Sequence, residues 1–306
     1  MKKILVIGSL MTDFVFRTSK MPNTGETFIG EQYEKYTGGK GANQAVAAAR
    51  LGGEVSMIGK LGNDEFGKEH IESLKKERIA HQSVLFDDIS RTGVGNVTID
   101  NDGNNKIIVV PGANLALKTI DIMNNEKLIR DADIIVLQLE VPMDVVYQCI
   151  DIAYDYNKTI IVNPAPAQDF DQSIAKKVDY FIPNEVESGL LTGKTINNIE
   201  DAKEAADILI SAGYKNVIIT LGGDGAIFVN KNQFKYFNSI KVSPIDTTAA
   251  GDSFIGTLAY GLSKSWNIDQ TIESAIKASG CTVTKLGSQP SLPTWKDIEN
   301  LKEIVK

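Results

Sequence analysis

The sequence predicts an α/β protein with a doubly wound, mostly parallel sheet, helices on both faces and a small β-sheet lid. Three observations predict this fold. Short apolar, β-branched runs alternate with longer helix-like patterns along most of the 306 residues. Several of these runs are almost wholly apolar, as in strands that are buried on both faces of a parallel sheet. Two other segments carry the turn signals of hairpins and fall outside the alternation.

The elements of the main sheet follow one another in regular order. Apolar runs predict strands at 4–7, 55–58, 134–139, 160–162, 180–182 and 217–220. Helix-like patterns between them predict helices at 42–51, 66–77, 143–156, 200–212 and 253–263. No linker, repeat or low-complexity segment interrupts the series, so we expect a single domain over residues 1–306.

The lid is predicted from residues 13–36 and 91–111, where alternating side chains surround turn signals. These signals are Pro22-Asn23, Thr24-Gly25 and Asn101-Asp102-Gly103. Open α/β sheets bind ligands beyond the carboxyl ends of their strands, and a small sheet above that edge would close over a ligand.

Composition and charge exclude several classes of function. With 32 basic and 39 acidic side chains the net charge is −7, which argues against a nucleic-acid-binding protein. No run approaches 18 apolar residues, so we expect no membrane span, and the short apolar run after Met1 predicts a strand in a cytoplasmic protein. The two histidines and the separated Cys149 and Cys281 leave little from which to build a His/Cys metal site or a Ser-His-Asp triad.

The segment "DTTAAGDSF" at 246–254 predicts an anion hole followed by a base. If a helix begins near Gly251, the backbone amides of 249–252 lack helical partners and lie at the positive end of the helix dipole. Small side chains leave room for a phosphoryl group, and Asp252 would accept the proton of an attacking hydroxyl. The alternative is that Asp252 only caps the helix.

Polar residues also follow other predicted strands or begin the helices after them. The stretch "TGGKGANQAVAAARLGG" at 37–53 brings glycine backbone, Asn43 and Gln44 to a helix start, which suits either a ligand or close packing. Glu140 follows a strand, where it would meet ligand hydroxyls or solvent.

Two further segments leave two interpretations open. Asn184 and Glu187 are three positions apart, which suits either a hydrated Mg²⁺ or a helix cap. The glycines of "TLGGDG" at 220–225 suit either a loop over nucleotide phosphates or a tight hairpin turn.

These segments carry a family resemblance. "GGKGANQA" (38–45) and "DTTAAGDSF" resemble the two signatures of the ribokinase family of PfkB-type carbohydrate kinases. "PNEVE", "TLGGDG" and "GSQPS" (287–291) follow in the same order, and the similarity extends from "VIGS" to about residue 293. The resemblance implies ATP-dependent phosphorylation of the 5-hydroxyl of a pentose, D-ribose and/or 2-deoxy-D-ribose, with Mg²⁺ accompanying ATP, K⁺ as activator and a homodimer formed through the β lid.

The resemblance also implies a role for particular residues. The catalytic base and anion hole would be Asp252, Gly251, Ala250 and Ala249. The sugar would meet Asp13, Gly39, Lys40, Asn43 and Glu140, with Met11 beside them. Mg²⁺-ATP would meet Asn184, Glu187, Thr220, Gly222, Gly225 and Gly251. The K⁺ site would be formed by Asp246, Thr248, Thr282, Lys285, Gly287 and Ser291, several of them through carbonyl oxygens.

Two residues depart from the family pattern. In "LMTD" (10–13), Met11 stands where ribokinases usually have asparagine, and a thioether cannot donate a hydrogen bond. Either Met11 favours a sugar that lacks the facing hydroxyl, 2-deoxy-D-ribose, or it only packs. Ile276 replaces a residue that is often polar near the adenine. Two alternatives remain open: the chain is another sugar or nucleoside kinase of this family, or it is a non-catalytic sugar-binding relative.

Overall fold

Strands and helices alternate much as the sequence predicts. The computed structural model describes residues 1–101 and 105–303. The strands are β1 (Lys3–Ile7), β2 (Met11–Arg17), β3 (Gln32–Gly38), β4 (Glu54–Gly62), β5 (Ala80–Asp87), β6 (Gly93–Ile99), β7 (Asn105–Val110), β8 (Ile134–Leu137), β9 (Thr159–Val162), β10 (Tyr180–Phe181), β11 (Asn216–Thr220), β12 (Ala226–Asn230) and β13 (Gln233–Phe237). The helices are α1 (Lys40–Arg50), α2 (Glu65–Lys76), α3 (Thr119–Asn124), α4 (Glu126–Asp131), α5 (Met143–Asp155), α6 (Glu185–Thr192), α7 (Ile199–Ala212), α8 (Ala250–Ser263), α9 (Ile268–Thr282), α10 (Ser288–Ser291) and α11 (Trp295–Glu299). Short 3₁₀ turns occur at Gly112–Ala116, Gln172–Lys177, Gly222–Asp224 and Asn300–Glu303.

The main sheet is mostly parallel. Among the described residues it contains nine strands in the order β13-β12-β11-β10-β9-β8-β1-β4-β5. Only β12 runs against its neighbours, and it pairs antiparallel with β11 and β13. The other pairs are parallel, so the segments after β1, β8, β9, β10 and β11 meet at one edge of the sheet.

Helices cover both faces of this sheet because its strands alternate between two cores. In β1, Leu5 and Ile7 pack in the core that contains α5 and α7. Ile4 and Val6 point the other way, into the core that contains α1, α8 and α9. This second layer places α1 and α8 side by side over the sheet.

The lid is a separate sheet, and among the described residues its strand order is β3-β2-β6-β7. Strands β2 and β3 are antiparallel, as are β6 and β7, while β2 and β6 are parallel. The two hairpin segments therefore join at their centre, as the sequence predicts for 13–36 and 91–111. The turn signal at Asn101-Asp102-Gly103 lies partly outside the described residues.

The structure contains elements that the pattern did not predict. Strands β5, β12 and β13 extend the two ends of the main sheet, and α9 covers α8. Within the described ranges, no helix has both the length and the apolar character needed to cross a membrane.

Candidate active site

The segment before α8 forms a concave backbone site. Ala249 precedes the helix with φ 61° and ψ 9°, a left-handed conformation that is unusual for a residue with a side chain. The change from left-handed to helical backbone turns successive amides toward one point, as in anion-binding nests. A Cβ placed on Gly251 meets nothing within 4 Å, so a ligand has room to approach these amides.

The helix begins at Ala250, three residues earlier than the pattern predicts. Its amide donates a 3.3 Å hydrogen bond to the Thr247 carbonyl. Gly251 and Asp252 therefore carry the amides that the start of the helix leaves without an intrahelical acceptor. A cavity of about 200 Å³ lies here, lined by Ala249, Ala250, Gly251 and Asp252 together with Lys40.

Asp252 is clamped by two amide side chains of α1. Asn43 Nδ2 donates to Asp252 Oδ2 at 2.9 Å, and Gln44 Nε2 donates to Oδ1 at 3.0 Å. The Asp252 side chain is buried, so these bonds hold a carboxylate in a low-dielectric site. A carboxylate that caps a helix accepts bonds from its own backbone, whereas Asp252 is held from a different helix. The geometry thus fits a base better than a cap.

The side-chain amide of Asn43 donates to Asp252 through its nitrogen, and its oxygen is a hydrogen-bond acceptor at the same site. Its Oδ1 atom is buried and has no hydrogen-bond partner among the described residues. Buried polar atoms in native proteins are almost always paired, so an unpaired acceptor beside a carboxylate indicates a position that a bound hydroxyl completes.

Lys40 is surrounded by acidic side chains. Burial favours the neutral amine, but the nearby carboxylates of Asp252, Glu140, Glu187 and Asp13 outweigh it and raise the pKa of Lys40. Lys40 is therefore an ammonium at neutral pH. The sequence predicts Lys40 as a sugar-binding residue. In the structure Lys40 also lines the cavity beside Gly251 and Asp252.

Glu140 connects the sheet edge to the start of α1. Its Oε2 atom accepts a 3.0 Å hydrogen bond from the Lys40 amide and a short one from Ser9 Oγ. Gly39 precedes α1 with φ 88° and lets the start of the helix lie close to the start of β2. A Cβ on Gly39 would lie 2.7 Å from the Met11 amide nitrogen. Burial raises the pKa of Glu140, whereas Lys40 and the Ser9 hydrogen bond lower it.

The lid contributes Asp13 from β2. Its Oδ2 atom accepts a 2.6 Å hydrogen bond from Ser288 Oγ, which ties the lid to α10. Burial, with added repulsion from Glu140 and Asp252, raises the pKa of Asp13 to about 6, although Ser288 and Lys40 oppose the shift.

This raised pKa gives a pH prediction. If Asp13 binds the sugar as predicted, its ionised form would accept hydrogen bonds from sugar hydroxyls, so we expect the KM for sugar to rise as pH falls through about 6. Asp13→Asn should raise KM and flatten this dependence. If the KM of Asp13→Asn for sugar still rose by the wild-type factor as pH falls through about 6, the assignment of Asp13 to sugar binding would be contradicted.

The same shift has a consequence for stability. The pKa of the Asp13 carboxyl rises from its ordinary value of 3.8 to about 6 on folding, so between these values the folded state binds more protons than the unfolded chain. Its contribution to stability therefore falls as pH rises through that window. At pH 7–8, Asp13→Asn should raise the free energy of unfolding by on the order of 1 to 3 kcal/mol, which urea unfolding of the two proteins would measure.

Met11 lies on the same face of β2 as Asp13, two residues away. Its side chain is buried between two glycines of the neighbouring strands, because it pairs in register with Gly38 and Gly93. A Cβ on Gly93 would lie 3.1 Å from Met11 Cγ. The thioether therefore lies on the same side of the lid as the Asp13 carboxylate.

Asn184 and Glu187 form a helix cap at the cavity wall. Asn184 Oδ1 accepts from the Glu187 amide at 2.8 Å, and Glu187 Oε2 accepts from the Asn184 amide at 2.9 Å. Both residues also line the cavity with Gly251 and Asp252, so the cap leaves a Mg²⁺-ATP role open. Burial raises the pKa of Glu187, which an adjacent cation would offset.

The glycine segment after β11 forms a hairpin turn. Thr220 lines the cavity, but Gly222 and Gly225 belong to the turn between β11 and β12. A Cβ on Gly225 would lie 2.0 Å from the Phe237 carbonyl oxygen, so close packing requires this glycine. Ile276 is buried in the core of α8 and α9, with 8% of its surface exposed. Packing therefore accounts for its apolar side chain.

The segments predicted to hold K⁺ are joined side by side. The Ile245 and Asp246 amides donate to the Val283 carbonyl at 2.7 and 3.2 Å. Asp246 accepts from the Thr248 amide at 2.9 Å and from the Gly287 amide at 3.0 Å. The carboxylate and neighbouring carbonyls suit a monovalent cation, whereas the Thr282 hydroxyl is used within its own helix at 2.9 Å.

Several contacts of the site were not predicted from the sequence, which singles out Gln44 only as a polar residue at a helix start. Gln44 contacts Asp252, Ser288 contacts Asp13, Ser9 contacts Glu140, and Asn163 lines the cavity. Ser9 and Asn163 follow β1 and β9, so their position at strand ends was an available signal. Gln44 and Ser288 are revealed only by the packing of distant segments.

Fold and site together define a phosphotransferase that acts on an alcohol: a lid above the sheet edge, an anion-binding helix start and a clamped carboxylate beside it. The pfkB family carbohydrate kinase model matches residues 1–295. The chain belongs to this family and is an ATP-dependent sugar kinase.

Individual relatives agree over almost the whole chain. A ribokinase of Staphylococcus aureus (strain COL) is 36% identical over 98% of this chain and 99% of its own. A deoxyribokinase of Salmonella typhi is 35% identical over 95% of each chain. The structure of Arabidopsis thaliana ribokinase complexed with ribose and ATP superposes with a TM-score of 0.92, at 27% identity and 98% coverage of both chains. The comparisons therefore match ribokinase and deoxyribokinase at nearly equal identity.

Proposed function

We propose that this chain phosphorylates the 5-hydroxyl of a pentose, with ATP as donor, and that it prefers 2-deoxy-D-ribose to D-ribose. The observation that carries the proposal is the position of Asn43, whose amide nitrogen holds Asp252 while its buried oxygen lacks a partner among the described residues. One side chain thus joins a base to a position for a hydroxyl.

The proposed reaction follows from the order of groups along the site. The primary hydroxyl attacks the γ-phosphorus, the new oxygen–phosphorus bond forms as the bond to the β-phosphate oxygen breaks, and Asp252 accepts the hydroxyl proton. The amides of Gly251 and Asp252 stabilise the charge on the transferred group. Asp13, Asn43 and Glu140 orient the sugar under the lid, which excludes water.

Cations complete this scheme. Asn184 and Glu187 would hold the hydrated Mg²⁺ that accompanies ATP, and Mg²⁺ supplies charge neutralisation for the phosphates. Four carboxylates lie near the ammonium of Lys40, and this excess of negative charge favours a phosphate that is accompanied by Mg²⁺ over a free phosphate. Asp246 and the carbonyls around Gly287 would hold K⁺ beside the anion hole.

The preference for 2-deoxy-D-ribose rests on Met11. A sugar hydroxyl that faces the thioether loses a hydrogen bond when it leaves water, which costs about 1–3 kcal/mol if it is buried. A sugar with hydrogen at that position avoids the cost. Met11 lies beside Asp13 with its side chain buried, and this placement supports contact with the sugar.

A homodimer through the lid is part of the proposal. Strand β7 is an edge strand, and Ile107, Ile108, Val109 and Val110 expose between 47% and 67% of their surface. A second lid would cover this apolar edge.

The position of phosphorylation tests the proposed reaction. With Mg²⁺-ATP and either pentose, phosphorus NMR should place the product phosphate on carbon 5, and 5-deoxy-D-ribose should release no ADP. A phosphate on another carbon would contradict the geometry. Sugar binding without ADP release would instead indicate a non-catalytic sugar-binding protein.

A further inference from the structure

Gln44 stands at the centre of a buried chain of amide side chains. Its Nε2 atom donates to Asp252 Oδ1 at 3.0 Å and to Asn163 Oδ1 at 3.2 Å. Its Oε1 atom accepts a 2.6 Å hydrogen bond from Gln138 Nε2. Asn163 Nδ2 in turn donates to the Ile182 carbonyl at 3.0 Å.

This chain has only one possible polarity. Ionised Asp252 and the Ile182 carbonyl only accept hydrogen bonds, so the nitrogen of Gln44 must face Asp252 and the nitrogen of Asn163 must face Ile182. The Gln44 oxygen then needs a donor, which Gln138 supplies. An amide flip at any member would set like groups against each other.

The chain is anchored to three neighbouring strands. Gln138, Asn163 and Ile182 directly follow β8, β9 and β10, which are adjacent in the sheet. Gln44 and Gln138 are each 0% exposed. Gln44 therefore acts on Asp252 from the side of the sheet, without contact with bulk solvent.

The oxygen of the Gln138 side chain lowers the stability of the fold rather than adding to it. Gln138 Oε1 is buried and has no partner among the described residues, so it bears a desolvation cost. Its position follows from the fixed polarity, since Gln138 must turn its nitrogen toward Gln44. Unpaired buried polar atoms are among the irregularities that proteins carry at functional sites.

We propose that Gln44 is a positioning residue, which fixes Asp252 Oδ1 through the sheet so that the free lone pairs of the carboxylate meet the attacking hydroxyl. This inference rests on the proposed role of Asp252 as base. Asn43 fixes the other oxygen at 2.9 Å, so the carboxylate is held at both ends by groups that can only donate.

The first test compares Gln44→Met with Gln138→Met. Both substitutions remove a fully buried glutamine amide, but only Gln44 contacts Asp252. We expect Gln44→Met to lower kcat by about 10- to 100-fold with sugar KM within about threefold, because misplacement of a reacting group acts mainly on kcat. Gln138→Met should lose comparable thermal stability but much less kcat. Equal kcat losses in the two variants would overturn the proposal.

The second test is Gln44→Glu, which keeps the size of the side chain and remains informative if the methionine variant does not fold. A carboxylate at this position faces Asp252 Oδ1, so the two acids share a proton. Lys40 on α1 favours ionisation of this pair, whereas Asp13 on the lid, Glu140 after β8 and Glu187 on α6 oppose it. We expect the acid limb of log kcat against pH to move up by about one unit or more. An acid limb at the wild-type position would contradict a direct effect on Asp252.

Failure of this inference is distinguishable from failure of the proposed function. An active wild type and an inactive Asp252→Asn, combined with a fully active Gln44→Met, would overturn only the role of Gln44. An Asp252→Asn enzyme with near wild-type kcat would overturn the base itself, whatever Gln44 does.

Discussion

Asp252→Asn should lower kcat by about 10²- to 10⁴-fold, the range that general acid–base groups contribute. The amide that replaces the carboxylate cannot accept the proton of the attacking hydroxyl, and its nitrogen would face a donor on either Asn43 or Gln44. Sugar affinity should change only a few-fold, since Asp13, Asn43 and Glu140 remain. Steady-state ADP release gives kcat, and calorimetry with sugar and ADP gives the dissociation constant.

Asp269→Asn is a matched control for this substitution. Asp269 pairs with Lys235 at the protein surface and contacts none of the site residues named above. Its kcat should equal that of the wild type. Loss of sugar affinity in Asp252→Asn with a kcat close to the wild type would contradict the assignment of a base.

Gly256→Ala should impair both stability and turnover, because Gly256 is a point of close approach between α1 and α8. An alanine Cβ there would lie 2.5 Å from Ala47 Cβ and 2.6 Å from the Gln44 carbonyl oxygen. Overpacking of this kind costs about 1–3 kcal/mol, which outweighs the roughly 1 kcal/mol that alanine normally adds to a helix. Separation of the helices would withdraw Asn43 and Gln44 from Asp252, so kcat should fall about 10- to 100-fold.

Gly280→Ala supplies the comparison. Gly280 also lies within a helix, but a Cβ there meets only Leu301 Cδ2 at 3.6 Å and Ile240 Cβ at 3.8 Å. We expect this variant to be as stable as the wild type or more so in urea unfolding, with unchanged kcat. Equal stability and kcat in the two alanine variants would show that the approach of α1 to α8 does not position Asp252.

The main sheet was predictable because its strands and helices have different hydrophobic periods. The six predicted strands and five predicted helices all occur, with ends shifted by a few residues. Strands β5 and β13 were missed because most of their residues do not form the continuous apolar runs that mark the central strands. Strand β12 has such a run over 226–229, directly after the glycine segment, and was missed all the same. The pattern predicts the start of α8 three residues too late, because Ala250, Gly251 and Asp252 carry little apolar signal.

The site was predictable where a residue follows a strand or begins a helix. Asp252, Glu140 and Asn184 are of this kind, and the structure brings them to one edge of the sheet. Gln44 was not predictable as a contact of Asp252, because 208 positions separate the two residues and they meet through the packing of α1 against α8, which is close at Gly256. Ser288 and Asp13 are 275 positions apart, and no local pattern relates them.

We propose that the lid and α1 form a site for a pentose whose identity depends on Met11. The most direct measurement is kcat/KM for 2-deoxy-D-ribose and for D-ribose, with Mg²⁺-ATP and K⁺, in the wild type and in Met11→Asn. We predict that the wild type prefers 2-deoxy-D-ribose by about tenfold, from an unpaired hydroxyl worth roughly 1–3 kcal/mol, and that Met11→Asn shifts the preference toward D-ribose. A wild type that prefers D-ribose, with the same ratio in Met11→Asn, would contradict this account.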